Sequence, residues 1–302
     1  MATAWAHGPE TARELAAAFR PEVIVPLLVL AGLYALGWSR LSRRPSAARR
    51  PALMLIGLAA VALALLSPLD ALADTLFVAH MVQHMLLIMV AAPALLLADP
   101  FPVVVWALPH AWRLRTGRWI TRDSVAGRVW RIATAMSTAW IVSACILWGW
   151  HLPSAYDAAL SRRWLHDLEH LSFFLSALLF WWPVIHPAPR FRRGAPYPMR
   201  VVYLVLGAFQ TAALGLLITL APVVLYRSYA EAGGLAALED QALGGVVMWG
   251  FGGVIHMIAV LVLIYFALGF DSRAAPRRVT QRDSFASRAA FTDGHSESTT
   301  LK

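Results

Sequence analysis

Charge and cysteine are what this sequence has least of. Of its 302 residues only 14% are Asp, Glu, Lys or Arg, while 59% are hydrophobic, and its mean hydropathy is +0.60. A soluble globular chain carries roughly 25% charge, so this balance excludes an ordinary soluble enzyme. Cys145 is the single cysteine. One thiol can build neither a disulfide framework nor a thiolate metal cage within the chain. The opening residues, MATAWAHGPETARELAAAFR, lack the basic-then-apolar order of a cleavable signal. The first hydrophobic stretch is therefore expected to stay in place. No tandem repeat is visible.

Long apolar runs are what is there. A hydrocarbon core about 30 Å thick needs roughly 20 apolar helical residues to cross it. Seven stretches qualify: 22–39, 51–68, 75–98, 129–150, 164–185, 200–226 and 243–270. The expected fold class is thus an all-α polytopic membrane bundle of seven transmembrane helices. It divides into a short extracytoplasmic segment (1–21), a membrane domain (22–270) and a polar, Ser/Thr-rich tail (271–302) expected to be disordered. Residues 101–109 (FPVVVWALP) are too short and too proline-bounded to span, and read as interfacial or re-entrant. Pro93 is expected to kink the third span. The pairs Gly244-Gly245 and Gly252-Gly253, and Gly207 with Gly215, suit close helix packing.

The few charges sort by side. With seven spans, 21 of the 26 basic residues fall on the face shared by the loops after spans one, three and five and the C-terminal tail. Eleven of the 17 acidic residues fall on the other, so the faces sum to +15 and −6. The positive-inside rule places the N-terminus outside and the C-terminus in the cytoplasm. The net charge of +9 is thereby a topology signal and needs no nucleic acid to explain it.

Histidine depth is the informative feature. His80 and His84 open span three, His151 closes span four, and His166 and His170 open span five, all at the outer leaflet. Spacing of four residues puts each pair on one helical face, roughly 6 Å apart along the axis. Two facing pairs can supply three or four nitrogens to one ion, and polar residues at membrane depth default to a functional reading. His80, His84, His151, His166 and His170 are accordingly the candidate metal ligands. Imidazole and the peak of divalent affinity favour copper, with zinc second. Met81 and Met85 could offer a soft thioether, Met89 is read as packing, and Cys145 as a small buried residue. A haem fits worse, because His80 and His84 share one face and cannot take opposite axial positions. Nearby carboxylates (Asp70, Asp74, Asp157, Asp167, Glu169, Asp240) are candidate hydrogen-bond partners for the free imidazole N–H groups, whereas Glu239 reads as loop charge. His166 to His170 also matches H-x-x-E-H, in which Glu169 would be a general base of a zinc hydrolase. His256 and Gln210 lie at similar depth on the last two spans and are expected to pair. Trp148, Trp150 and Trp164 read as anchors of the outer rim, Trp181 and Trp182 as anchors near the cytoplasmic face.

The same segments carry a likeness. HMVQHMLL, WHLPSAYDAAL, HDLEH followed by FWWPVI, and DQALGGVVMW before a histidine-bearing last span together resemble the CtaG-type cytochrome c oxidase assembly factors, over about 70–270. The resemblance implies a seven-span protein of the bacterial plasma (inner) membrane that supports maturation of caa-type haem-copper oxidases, with copper handling as the inferred role. Carried over residue by residue, it points to the same five histidines. The expected function is a non-enzymatic assembly factor that binds copper at the outer face and supports its delivery. Its expected partners are the lipid bilayer, a haem-copper oxidase subunit and an extracytoplasmic copper chaperone. Two rivals stand beside it: a zinc-dependent membrane hydrolase built on His166, Glu169 and His170, and a metal-free assembly scaffold.

Overall fold

The computed structural model describes residues 20–41, 49–119, 121–230 and 235–274. The expectations for the N-terminal segment before residue 20 and for the tail after 274 lie outside the described residues. Among the described residues every regular element is helical, with no strand. Those that bear on the site are α1 (Pro21–Leu41), α2 (Arg49–Leu65), α3 (Phe77–Leu97), α4 (Val125–Ala133), α5 (Met136–Trp150), α6 (Arg163–Ile185), α7 (Tyr197–Thr219) and α8 (Ala236–Gly269). Five of them (α1, α3, α6, α7 and α8) are long and apolar enough to cross a membrane, and α4 with α5 forms a sixth, broken candidate. The chain is therefore a multi-pass membrane protein. The 17-residue α2 spans only about 26 Å at 1.5 Å per residue, somewhat short of a typical hydrocarbon core.

Burial ranks these helices. In α3, 67% of the apolar stretch is buried, against 11% in α1, so α3 is the axis of the bundle and α1 a peripheral strut. α1 rests on the short helix Pro100–Ala107, the segment read from sequence as interfacial. Gly37 permits the contact, since a Cβ there would lie 1.9 Å from the Val103 carbonyl oxygen. α7 and α8 approach closely at Gly215 and Gly245, where an added Cβ at 245 would meet the Gly215 carbonyl at 2.7 Å. Gly253, expected to serve the same end, faces open space.

Ahead of Pro93, where a kink is expected, α3 widens into one π-turn over Leu86–Ala91, in which the Ala92 N–H reaches back to the Leu87 carbonyl. Proline has no N–H to offer, and the wider turn moves the carbonyl its ring would strike. The Ile88 carbonyl, left without a backbone donor by this shift, accepts the Trp181 indole N–H at 3.0 Å. Trp181 is consequently buried, 3% exposed, and is no interfacial anchor. A real break falls between α4 and α5, which meet at 64°. Cys145 is exposed on α5 rather than buried.

Candidate metal centre

The site is assembled by the ends of α3, α5 and α6, with the short helix Pro153–Leu160 and the turn Arg227–Ala230 packed over it. Leu76 gives α3 no side-chain cap, so its first N–H groups need partners from elsewhere. Asp240, near the N-terminal end of α8, supplies them, accepting from the Phe77 N–H at 2.6 Å and the Val78 N–H at 3.1 Å. That cap fixes the turn from which His80 and His84 project.

All five histidines meet. Ring centroids lie 4.4 Å apart for His80 and His84, 5.0 Å for His80 and His166, 5.1 Å for His84 and His170, and 4.4 Å for His166 and His170. His151 stands at the margin, 6.3 Å from His84. Two sets have donor atoms within 4.8 Å of one another: His80, His84 and His170, and His80, His166 and Glu169. Glu169 is fully buried. Its two oxygens lie 3.8 Å from the Nε2 atoms of His80 and His84 respectively. From sequence it was a hydrogen-bond partner or a general base; in the fold it sits between the imidazoles as a candidate ligand.

Hydrogen bonding then fixes which nitrogens face inward. Tyr229 donates its hydroxyl hydrogen to the Ala73 carbonyl at 2.7 Å, so toward His80 its oxygen acts as acceptor. The His80 Nδ1 lies 3.1 Å from that oxygen and 2.9 Å from Tyr156 Oη. With the hydrogen on Nδ1, donated to Tyr229, Nε2 keeps its lone pair toward Glu169. The His151 Nδ1 faces the Leu147 carbonyl at 2.7 Å, which can only accept, so Nε2 is again the free nitrogen. Buried atoms without a hydrogen-bond partner include Nε2 of His80, His151 and His166, both ring nitrogens of His84 and His170, and both Glu169 oxygens. Buried polar atoms are nearly always paired. Nine orphaned atoms in one cluster are what a cation with several N and O ligands would satisfy. The donor set of imidazoles and one carboxylate fits copper or zinc.

The remaining carboxylates do other work than expected. None accepts from an imidazole; tyrosine hydroxyls and a backbone carbonyl take that part. Asp157 holds the turn at Ser228. Asp70 and Asp167 both bind Arg20, a residue that sequence reasoning passed over. Arg20 also reaches Glu22 at 3.3 Å, while Asp70 accepts from Gln83, the residue before His84, at 2.9 Å. Burial opposes the charge on Arg20, but Asp70 and Asp167 more than offset it and hold the guanidinium protonated. Burial likewise raises the Asp74 carboxyl, which lies close enough to His166 for that imidazole to oppose the rise. Arg20 and Asp167 also line a cavity of about 720 Å³ between α1, α2, α3 and α6, whose walls are mostly apolar and include His170.

Met81 is fully buried in the core. Met85 and Met89 line a separate cavity of about 30 Å³ with Gln210 and His256. Those two do not pair: the His256 Nδ1 donates to the Gly252 carbonyl at 2.8 Å, and Gln210 Oε1 has no partner. Of the tryptophans expected at the rim near the histidines, Trp148 and Trp164 are exposed, whereas Trp150 donates to Ser172 at 2.8 Å.

The family model of the cytochrome c oxidase caa3 assembly factors (Caa3_CtaG) matches residues 32–268. The chain belongs to that family. Two curated relatives, the uncharacterized proteins Mb0105 of Mycobacterium bovis and MT0111 of Mycobacterium tuberculosis, are each 27% identical over 266 residues. The match covers 85% of this chain and 40% of theirs, so the chain spans well under half the length of these relatives. No solved structure matches it.

Proposed function

We propose that the protein is a non-enzymatic assembly factor that binds copper at the outer membrane face and passes it to a haem-copper oxidase subunit. Family membership supports the assembly role and the oxidase as partner. The observation that supports copper is the set of nine unpartnered donor atoms among five buried histidines and Glu169. His80, His84 and His170 would hold the ion, with His166 and Glu169 on the adjoining side and His151 one ring away. Copper is cargo here, and imidazole ligands suit cargo because they exchange more readily than a closed thiolate site. The frame we propose has seven spans, the six candidates above plus α2, with the N-terminus outside and the C-terminus cytoplasmic in a bacterial plasma membrane. The arginines that follow α1, α3 and α6 in the chain fall, on seven spans, on the face away from the histidines, which supports this orientation by the positive-inside rule. An extracytoplasmic copper chaperone would be the donor.

A zinc hydrolase is the second reading, favoured by the grouping of His166 and Glu169 with His80. Metal analysis separates the two. Purified wild type loaded with copper or zinc is compared with His80→Ala/His84→Ala and with Glu169→Gln, alongside oxidase activity in cells carrying each variant. Copper lost with the histidines, and oxidase activity lost with it, is the expected result. Retained zinc with function lost only in Glu169→Gln would favour the hydrolase. No retained metal of either kind would leave a metal-free scaffold.

A further inference from the structure

Opposite the histidines, the break between α4 and α5 opens a cavity of about 640 Å³ lined by Arg122, Arg128, Arg131, Arg192 and Arg193. Five guanidiniums around one space repel one another, and among the described residues none of the five has a carboxylate within ion-pair reach. The Nε of Arg131 is buried and lacks any partner. An anion is the missing component.

The surroundings say which kind. α4 lies at 64° to α5 and exposes Val125, Val129 and Ile132 at 67%, 59% and 64%, an i, i+4, i+7 stripe along one face. An apolar stripe beside arginines on a helix angled away from the following span is the signature of a segment lying in the bilayer interface. A second cavity of about 380 Å³ shares Ala135, Phe191, Arg192 and Arg193 with the first and adds Met136, Trp182 and Met199 to its walls. A cationic chamber thus continues into a partly apolar one. Guanidiniums recognise phosphate oxygens in bidentate fashion, and basic pockets between spans are suited to anionic lipid headgroups.

We propose that this paired cavity is a binding site for one anionic phospholipid, its phosphodiester among the five arginines and its glycerol end against Phe191, Trp182 and Met199. The site is independent of the metal centre and of the family's role.

Native mass spectrometry of the full chain in detergent, with added phosphatidylglycerol, phosphatidylcholine or inorganic phosphate, tests it. Wild type should retain phosphatidylglycerol at least about tenfold more tightly than phosphatidylcholine, and less tightly as salt rises. Arg128→Gln/Arg193→Gln should abolish that preference, since neither side chain holds anything else in the structure, whereas Arg115→Gln/Arg118→Gln should keep it. Should the first variant misfold, the salt titration of wild type decides alone, because a salt-independent preference overturns the site. Equal retention of the two lipids, or inorganic phosphate competing as well as phosphatidylglycerol, also overturns it. So does an Arg128→Gln/Arg193→Gln variant that keeps its lipid preference but loses capture of the oxidase subunit, which would mark a protein interface.

Discussion

Glu169→Gln exchanges one oxygen for an amide nitrogen at the centre of the histidine cluster, and it should act far more on the metal-loaded protein than on the metal-free one. Both Glu169 oxygens lack a donor, and each lies 3.8 Å from the Nε2 of His80 or His84. Without metal, a carboxyl buried with no cation beside it stays neutral, and its hydroxyl can donate to an imidazole lone pair as an amide N–H can. The metal-free variant should therefore match wild type to within about 1 kcal/mol, roughly 2 °C in Tm. With metal bound the two differ, because an anionic ligand has become a neutral one. Affinity should fall at least about tenfold, and the stabilisation gained on adding copper should shrink accordingly. Thermal unfolding of purified protein in detergent, with and without copper, measures both effects. A metal-free variant clearly less stable than wild type would refute the reasoning, since it would mean that the carboxylate is ionised and paired with an imidazolium. An unchanged copper-induced shift would remove Glu169 from the ligand set.

Arg20→Gln should lower the unfolding temperature by about 1–3 kcal/mol equivalent, below the figure for a fully buried pair because Asp70 and Asp167 are 28% and 33% exposed; an unchanged Tm would sink this ion-pair network. Tyr156→Phe/Tyr229→Phe strips His80 Nδ1 of both partners and should weaken copper or zinc binding by about 10–100-fold, read by competition with a chelator, and equal affinity would mean that the hydroxyls do not orient the ring. Gly245→Ala should destabilise by about 1–3 kcal/mol, because its Cβ would meet Thr219 Oγ1 at 2.4 Å and the Gly215 carbonyl at 2.7 Å. Gly253→Ala is the matched control, with nothing within 4 Å, and should be neutral or stabilising in thermal unfolding.

Much of the frame was legible because hydropathy and helix length are local properties. The expected third and fifth spans, 75–98 and 164–185, coincide closely with α3 and α6. The i, i+4 spacing in AHMVQHMLL and HDLEH sets two imidazoles on one face of each helix whatever the neighbours do. The H-x-x-E-H run also held the signal for Glu169, since positions three and four residues beyond His166 share its face; what it lacked was any sign that α3 would face that same side. His80 and Tyr229 are 149 residues apart in sequence, and no local pattern pairs them. The local answer to Pro93 was hidden for a related reason. The consequence of a missing N–H depends on whether a neighbour such as Trp181 takes the orphaned carbonyl.

The sparse charge with which the sequence begins behaves likewise. The sequence by itself determined an all-helical membrane chain, histidines toward one end and arginines toward the other, because side-chain hydropathy and the helical repeat act over a few residues. The tertiary structure alone decided what each charged group meets: Asp70 and Asp167 on Arg20, Asp240 on the first turn of α3, Glu169 among imidazoles, and five arginines around one cavity. Partner choice is set by distances between segments far apart in the chain. In a bilayer, where few polar groups are present to share, those distances fix which donors and acceptors are satisfied and which are left open for a ligand.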